Sequence, residues 1–201
     1  MKLKDFFKTK PVFVGSFPSV MQIPYSSQRE IAFIGRSNVG KSSLINAIFN
    51  TPNLAKTSST PGRTQMLNFF NDQDVLMIVD LPGYGFAKAP KDVVKQWNDN
   101  VNTYLKGRSQ LRRVFLLIDS RQGIKQIDLD MMNMLDSSAV NYQIVITKLD
   151  KISSSEADKI KQSIDSLQKD HPAMHPVVLS TSSEKGIGLE EIRGEIFDLI
   201  K

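Results

Sequence analysis

Residues 35–42 read Gly-Arg-Ser-Asn-Val-Gly-Lys-Ser, so Gly35, Gly40, Lys41 and Ser42 satisfy the pattern G-x-x-x-x-G-K-[ST]. An apolar run at 30–35 precedes them and a helical pattern at 41–50 follows, which is the context the pattern requires. Glycine allows backbone conformations and close approaches that a Cβ would block. Backbone N–H groups of Gly35, Arg36, Ser37, Asn38, Val39, Gly40, Lys41, Ser42 and Ser43 can then wrap a phosphate at a helix N-terminus. Lys41 has the reach and charge for β- and γ-phosphates, and the Ser42 hydroxyl can ligate Mg²⁺. This chemistry implies a nucleoside triphosphate without choosing its base.

Two further stretches refine that chemistry. Residues 75–85, VLMIVDLPGYG, supply D-x-x-G: Asp80 ends an apolar run and is suited to hold Mg²⁺ through water. Leu81 and Pro82 lead to Gly83, whose N–H can approach a γ-phosphate and sense its loss. Residues 145–151, VITKLDK, place Thr147, Lys148, Leu149 and Asp150 where a buried strand ends, the side of such sheets that binds ligands. A carboxylate at Asp150 can accept from both the N1–H and the 2-amino group of guanine; adenine lacks that pair of donors. The Lys148 stem can cover a face of the base. GTPases more usually have Asn where Thr147 stands, which puts one loop-holding contact in question.

Between these stretches lies TSSTPGRTQ, residues 57–65, polar and turn-rich without apolar periodicity, as a mobile switch would be. Thr64 is the candidate for a second hydroxyl on Mg²⁺, with Thr60 competing, and Gly62, Arg63, Gln65 and Met66 belong to the same wall. Hydrolysis of a bound triphosphate is mostly positioning and charge stabilisation, so Lys41, Asn38, Thr64 and Gly83 are the catalytic candidates. Tyr84 stands directly after D-x-x-G, where many GTPases carry a water-orienting Gln, so slow intrinsic turnover is expected. Asn38 either offers a side-chain carbonyl near the β/γ bridge or simply fits a tight turn.

The elements that must position these residues follow from periodicity. Runs at 30–35, 74–80, 113–120, 142–148 and 176–182 are apolar on both faces, as in strands of a covered sheet. A weaker run at 66–71 is expected to form a hairpin with 74–80 through a turn at 71–73. Helices are expected over 41–50, 91–106, 126–137, 154–169 and 188–200. The alternation predicts one α/β domain, with a mostly parallel six-stranded sheet, one antiparallel strand and helices on both faces. Residues 1–29 read as an extension on or beside a domain spanning 30–201, with a short strand expected at 12–17.

The chain has 201 residues, 40% of them hydrophobic and 23% charged, which suits one well-cored soluble domain. It has no cysteine, which excludes disulfides and cysteine zinc sites and fits a cytoplasmic address. No uninterrupted apolar region follows the basic start, so a secretory signal is not expected, and the longest apolar runs are too short to span a bilayer. A net charge of +5 permits nucleic-acid binding, and Lys106, Arg108, Arg112 and Arg113 form a local cluster that is either such a surface or a solvated face. His171 and His175 both precede prolines and have no evident third partner for a metal.

Taken together, GRSNVGKSSLINAI, STPGRTQ, DLPGYGFAK, TKLDK and QWNDNVNTYLKGRSQL resemble the EngB/YsxC bacterial GTPases, of the translation-factor-related class, from about residue 10 to the end. LIDSRQG at 117–123 also fits. The resemblance implies a Mg²⁺-dependent GTPase that binds GTP and GDP and assists assembly of the large ribosomal subunit through rRNA and ribosomal proteins, with no DNA partner. It also implies a need in cell division and septation. It adds Leu179, Ser180 and Thr181 as the last loop around guanine, and a K⁺ ion at Asn38 that acts like an arginine finger. Rival readings are a P-loop ATPase or nucleotide kinase, against which TKLD and DLPG argue, and a non-hydrolysing GTP-dependent binding module, which Tyr84 favours.

Overall fold

A computed structural model of the chain describes residues 2–56, 66–85 and 91–201. In chain order it contains α1 (Leu3–Phe6), β1 (Val12–Phe17), β2 (Arg29–Gly35), α2 (Lys41–Ile48), β3 (Leu67–Asp72), β4 (Leu76–Asp80), α3 (Lys91–Gly107), β5 (Leu111–Asp119), α4 (Gln126–Ser137), β6 (Tyr142–Thr147), α5 (Ser154–Asp165), β7 (Leu179–Ser180) and α6 (Leu189–Ile200).

The sheet order is β1-β3-β4-β2-β5-β6-β7. β2 pairs in parallel with β4 on one side and β5 on the other, whereas β3 runs antiparallel to both of its neighbours. Successive residues of β2 alternate between two cores: Ala32 and Ile34 face α3, α4 and α5, while Ile31 and Phe33 face α1, α2 and α6. β5 repeats this with Leu116 and Leu117, so the continuous apolar runs arise because both sheet faces are covered. Connections leave β2 and β4 toward opposite sides of the sheet, so a topological switch point opens at the carboxyl end of β2, next to residues 35–41.

The sheet has seven strands rather than six. β1 occupies the expected 12–17 and covers the outer edge of β3, with Val12 opposite Asn71 and Phe17 opposite Leu67. The run at 176–182 yields only the two residues of β7. Met174 already bridges Tyr142 in parallel, but Pro176 has no N–H and the Gln143 side chain takes the Val177 carbonyl at 3.0 Å, so pairing with β6 is interrupted until Leu179. The β3–β4 turn centres on Gln73 and Asp74, both at positive φ (55° and 56°), later than the expected 71–73. α2 stops at Ile48 and α5 at Asp165, the latter followed by a separate 3₁₀ turn at Gln168–Asp170.

Candidate functional site

The loop after β2 is shaped by backbone conformations that its sequence permits. Gly40 has φ 102° and Asn38 φ 63°. The N–H groups that open α2 have no carbonyl one turn earlier and are left to point out of the helix, where an anion is favoured. The first bond of the helical ladder runs from the Leu44 N–H to the Gly40 carbonyl at 2.9 Å. Two side chains at the carboxyl end of β6, Thr147 and the Lys148 that follows it, brace the loop crest. The Thr147 hydroxyl donates to the Val39 carbonyl at 2.7 Å, and Lys148 Nζ donates to the Asn38 carbonyl at 2.6 Å. The loop-holding contact questioned at Thr147 is therefore made, by a hydroxyl instead of an amide.

Asp80 ends β4 beside this loop, and Lys41 donates to it in an ion pair whose side chains are 11% and 6% exposed. Leu81 and Pro82 are buried, and Gly83 packs so closely on the loop that a Cβ would lie 3.2 Å from the Gly35 carbonyl oxygen and 3.4 Å from the Ser37 nitrogen. Tyr84 is zipped to the loop on both sides: its N–H donates to the Gly35 carbonyl at 3.2 Å, and its carbonyl accepts from the Ser37 N–H at 3.1 Å. The Tyr84 side chain turns into the core, 6.2 Å from Trp97 between ring centres, and its hydroxyl donates to Asp128 at 2.7 Å. Burial, and then the Asp128 charge, push the Tyr84 hydroxyl well above the usual phenol range. Asp128 in turn lies 3.3 Å from Arg36 Nε, and Arg36 reaches Gln122 and the Gly123 carbonyl at 2.9 Å each.

Beyond the end of β6, Asp150 lies two residues after Lys148, whose own φ is 59°. One Asp150 oxygen accepts from the buried Ser182 hydroxyl, and the other lies 2.9 Å from Lys151 Nζ. The Ser182 bond, followed by Lys151, holds the Asp150 carboxyl below the usual range. Lys148 Nζ also donates to Asp119 at 2.8 Å, and Arg121 donates to the same carboxylate at 2.7 Å. Burial raises the Asp119 carboxyl, but Arg121 and Lys148 outweigh it and hold the group far below the carboxylate range. The Leu149 N–H donates to the Thr181 carbonyl at 3.0 Å, which joins the Asp150 turn to the segment after β7. The Thr181 hydroxyl is spent on the Ile146 carbonyl at 3.1 Å, and Leu179 is buried.

The fold thus brings residues 35–43, Asp80, Gly83 and 147–150, with 179–181, to one end of the sheet. Met66 is exposed just before β3. Gly62, Arg63, Thr64 and Gln65, and the competing Thr60, lie outside the described residues. Sequence reasoning missed Asp128, Ser182 and the hydroxyl of Ser120, which donates to the Lys148 carbonyl at 2.9 Å. Asp119 and Ser120 carried a usable signal, since they emerge polar from the end of an apolar strand.

A family model described as 50S ribosome-binding GTPase matches residues 30–148. The chain is 48% identical over 207 residues to the probable GTP-binding protein EngB of Bartonella tribocorum, covering 98% of this chain and 97% of that protein. This chain belongs to the EngB family. EngB of Rhodospirillum rubrum is 51% identical over 189 residues, covering 92% of this chain and 82% of that one. A solved structure of a probable GTP-binding protein EngB superposes with a TM-score of 0.67 at 24% identity, over 85% of this chain and 98% of that one, and supports the fold. Membership of the EngB family makes the chain a P-loop GTPase. No helix among the described residues is long and apolar enough to cross a membrane.

Proposed function

We propose that this EngB-family GTPase is a guanine-nucleotide switch acting in the cytoplasm on the large ribosomal subunit during its assembly, and that cell division and septation depend on it through that role. The convergence of Lys41, Ser42, Asp80 and Asp150 at one sheet end carries the nucleotide reading. The ribosomal partner is supported by the family model's description. Ser42 and Asp80 offer hard oxygen donors of the kind Mg²⁺ prefers, completed by phosphate oxygens and water. Such an ion neutralises charge on the β- and γ-phosphates when bound.

The chain's own residues supply the rest. Lys41 exchanges Asp80 for phosphate oxygens, Thr147 and Lys148 keep the loop crest in shape, and the Gly83 N–H reads the γ-phosphate. Thr64 would supply a second hydroxyl to Mg²⁺ in this reading, and Gly62, Arg63, Gln65 and Met66 would contact the nucleotide. The segment 179–181 would meet the base through Ser180, since the Leu179 side chain is buried and Thr181 is held by Ile146 and Leu149. With the Tyr84 hydroxyl committed to Asp128, no side chain at that position orients water, and turnover is slow unless another group assists. In this reading Asn38 would hold a K⁺ ion, which would supply positive charge where negative charge develops in the transition state.

Two measurements test the reading. Sedimentation with large ribosomal subunits should show binding with a GTP analogue and release with GDP; no binding in either state would remove the ribosomal role. Hydrolysis in KCl should exceed that in NaCl at equal ionic strength and lose the difference in Asn38→Ala, acting on kcat more than on GDP affinity. Equal rates in both salts would leave Asn38 a turn residue.

A further inference from the structure

The positive excess of the chain is not spread evenly. Residues 2–10 hold four lysines, Lys2, Lys4, Lys8 and Lys10, against one acid, Asp5. Of the chain's 26 basic and 21 acidic side chains, that leaves twenty-two and twenty for everything else. All four lysines are exposed. Lys8 pairs with Asp5 at 2.9 Å, whereas Lys2, Lys4 and Lys10 make no ion pair among the described residues.

This basic segment is pinned to the domain. Phe6 and Phe7 are 0% and 4% exposed, with Phe6 against Phe197 and Phe7 against Phe49 and beneath the Arg193 guanidinium. The Thr9 hydroxyl donates to the buried Asp72 at 2.9 Å, and Gln73 donates to Thr9 at 2.7 Å and to the Phe6 carbonyl at 3.1 Å. The backbone that carries the four lysines is therefore held in place, with little backbone ordering entropy left to lose when a partner binds. The segment leads straight into β1, where Phe13 is 55% exposed although its ring lies 5.7 Å from Phe70. That packing places Phe13 on the same sheet face as Phe6 and Phe7, which belong to the Phe70 core.

We propose that this anchored arm, residues 2–14, is a surface for single-stranded RNA, with lysines on phosphates and Phe13 under a base. The proposal rests on the ribosomal reading above and names the surface that would meet rRNA. Closely spaced lysines beside an exposed aromatic ring are what sequence-tolerant single-strand binding uses. A membrane surface fits less well, because α1 spends its aromatic residues inward and presents no apolar helix face outward. Strand addition by a protein fits less well too, because a register shift between Phe13 and Gly15 interrupts β1.

The test uses the full chain with a GTP analogue, a single-stranded RNA oligonucleotide followed by fluorescence anisotropy over a KCl series, and purified large subunits followed by sedimentation. The triple variant Lys2→Gln, Lys4→Gln, Lys10→Gln should keep its GDP affinity and lose RNA affinity. Its log–log salt slope should fall by about 2, at roughly 0.7 for each phosphate that is no longer neutralised. Phe13→Thr should weaken RNA binding roughly five- to a hundredfold with an unchanged slope. Wild-type RNA affinity and slope in the triple variant would overturn the proposal. If both variants still bind subunits like wild type, the arm is not the surface and the ribosomal reading stands. If wild type binds subunits but no naked RNA, while the variants lose subunit binding, the arm meets a ribosomal protein and the RNA proposal fails. Tighter binding to anionic phospholipid vesicles than to RNA would overturn it in favour of a membrane. If wild type ignores subunits in both nucleotide states, the ribosomal reading fails, and the naked-RNA measurements alone decide the arm.

Discussion

At the amino end of β2, Glu30 accepts from the Tyr104 hydroxyl and from Arg108 Nε, both at 3.1 Å. At the carboxyl end of the sheet, Asp128 accepts from the Tyr84 hydroxyl at 2.7 Å and lies 3.3 Å from Arg36 Nε. Both carboxylates are fully buried, and the two sites contain the same three chemical groups. They differ in where the groups come from. Tyr104 and Arg108 lie one turn apart at the end of α3, so the lower site joins one helix to one strand. Arg36, Tyr84 and Asp128 come from the phosphate loop, the D-x-x-G segment and the first turn of α4. Asp128 also accepts from the Lys125 N–H at 2.8 Å, which caps that helix. Identical chemistry thus serves as a staple at one end and as a joint between three functional segments at the other.

Removing the carboxylates should break the comparison most sharply. Glu30→Ala and Asp128→Ala each leave a buried tyrosine hydroxyl and a largely buried guanidinium without their partner. Each is expected to cost about 3–5 kcal/mol in urea unfolding. Nucleotide affinity separates them. Under folded conditions Glu30→Ala should bind a fluorescent GTP analogue like wild type, whereas Asp128→Ala should bind it at least tenfold more weakly because Arg36 and Tyr84 lose their common anchor. Equal affinities in the two variants would reduce the upper site to a second staple.

Removing only the hydroxyls should act in the same sense with smaller size. Tyr104→Phe leaves Glu30 with Arg108, and Tyr84→Phe leaves Asp128 with Arg36 and the Lys125 N–H, so each should cost about 1 kcal/mol. Turnover by Tyr84→Phe should stay within about twofold of wild type, since the hydroxyl faces α4 and not the phosphate loop. A tenfold fall in kcat at unchanged stability would put that hydroxyl into the chemistry.

The sequence made one half of this joint legible and hid the other. Residues 35–42, 80–83 and 147–150 are short, contiguous patterns whose chemistry needs those residue types at that spacing, and the fold delivers them to one end of the sheet. Tyr84 was visible as a departure from the usual Gln, but its partner lies 44 positions away on a helix where an acid reads as ordinary surface. Glu30 was hidden in the same way, as a polar residue at the start of an apolar run, with partners 74 and 78 positions downstream. β1 is legible as a strand but sits in residues 1–29, which read as an extension, because alternation cannot say which free edge a strand will cover. Thr147 shows the opposite error: the residue type differed from the usual one, while the bond it makes depends only on a donor reaching the Val39 carbonyl.

The alkaline limb of stability gives the finest comparison of the two sites. Burial, and then the neighbouring carboxylate, raise the hydroxyls of both Tyr84 and Tyr104 well above the usual phenol range. An unfolded tyrosine ionises near pH 10, so below that pH neither state loses the proton and neither group makes stability pH-dependent. Above it the unfolded chain releases a proton that the folded chain keeps, and stability falls as pH rises toward the folded value. Each locked tyrosine therefore steepens the decline by about 1.4 kcal/mol per pH unit. Tyr84→Phe and Tyr104→Phe should each remove one such increment, giving shallower stability curves above pH 10 and indistinguishable slopes from pH 7 to 9. Phenolate absorbance should show both groups protonated until the chain unfolds. If Tyr84 instead ionises reversibly in the folded protein while Tyr104 does not, the upper site opens without global unfolding. A three-element joint would then be looser than a helix staple made of the same groups.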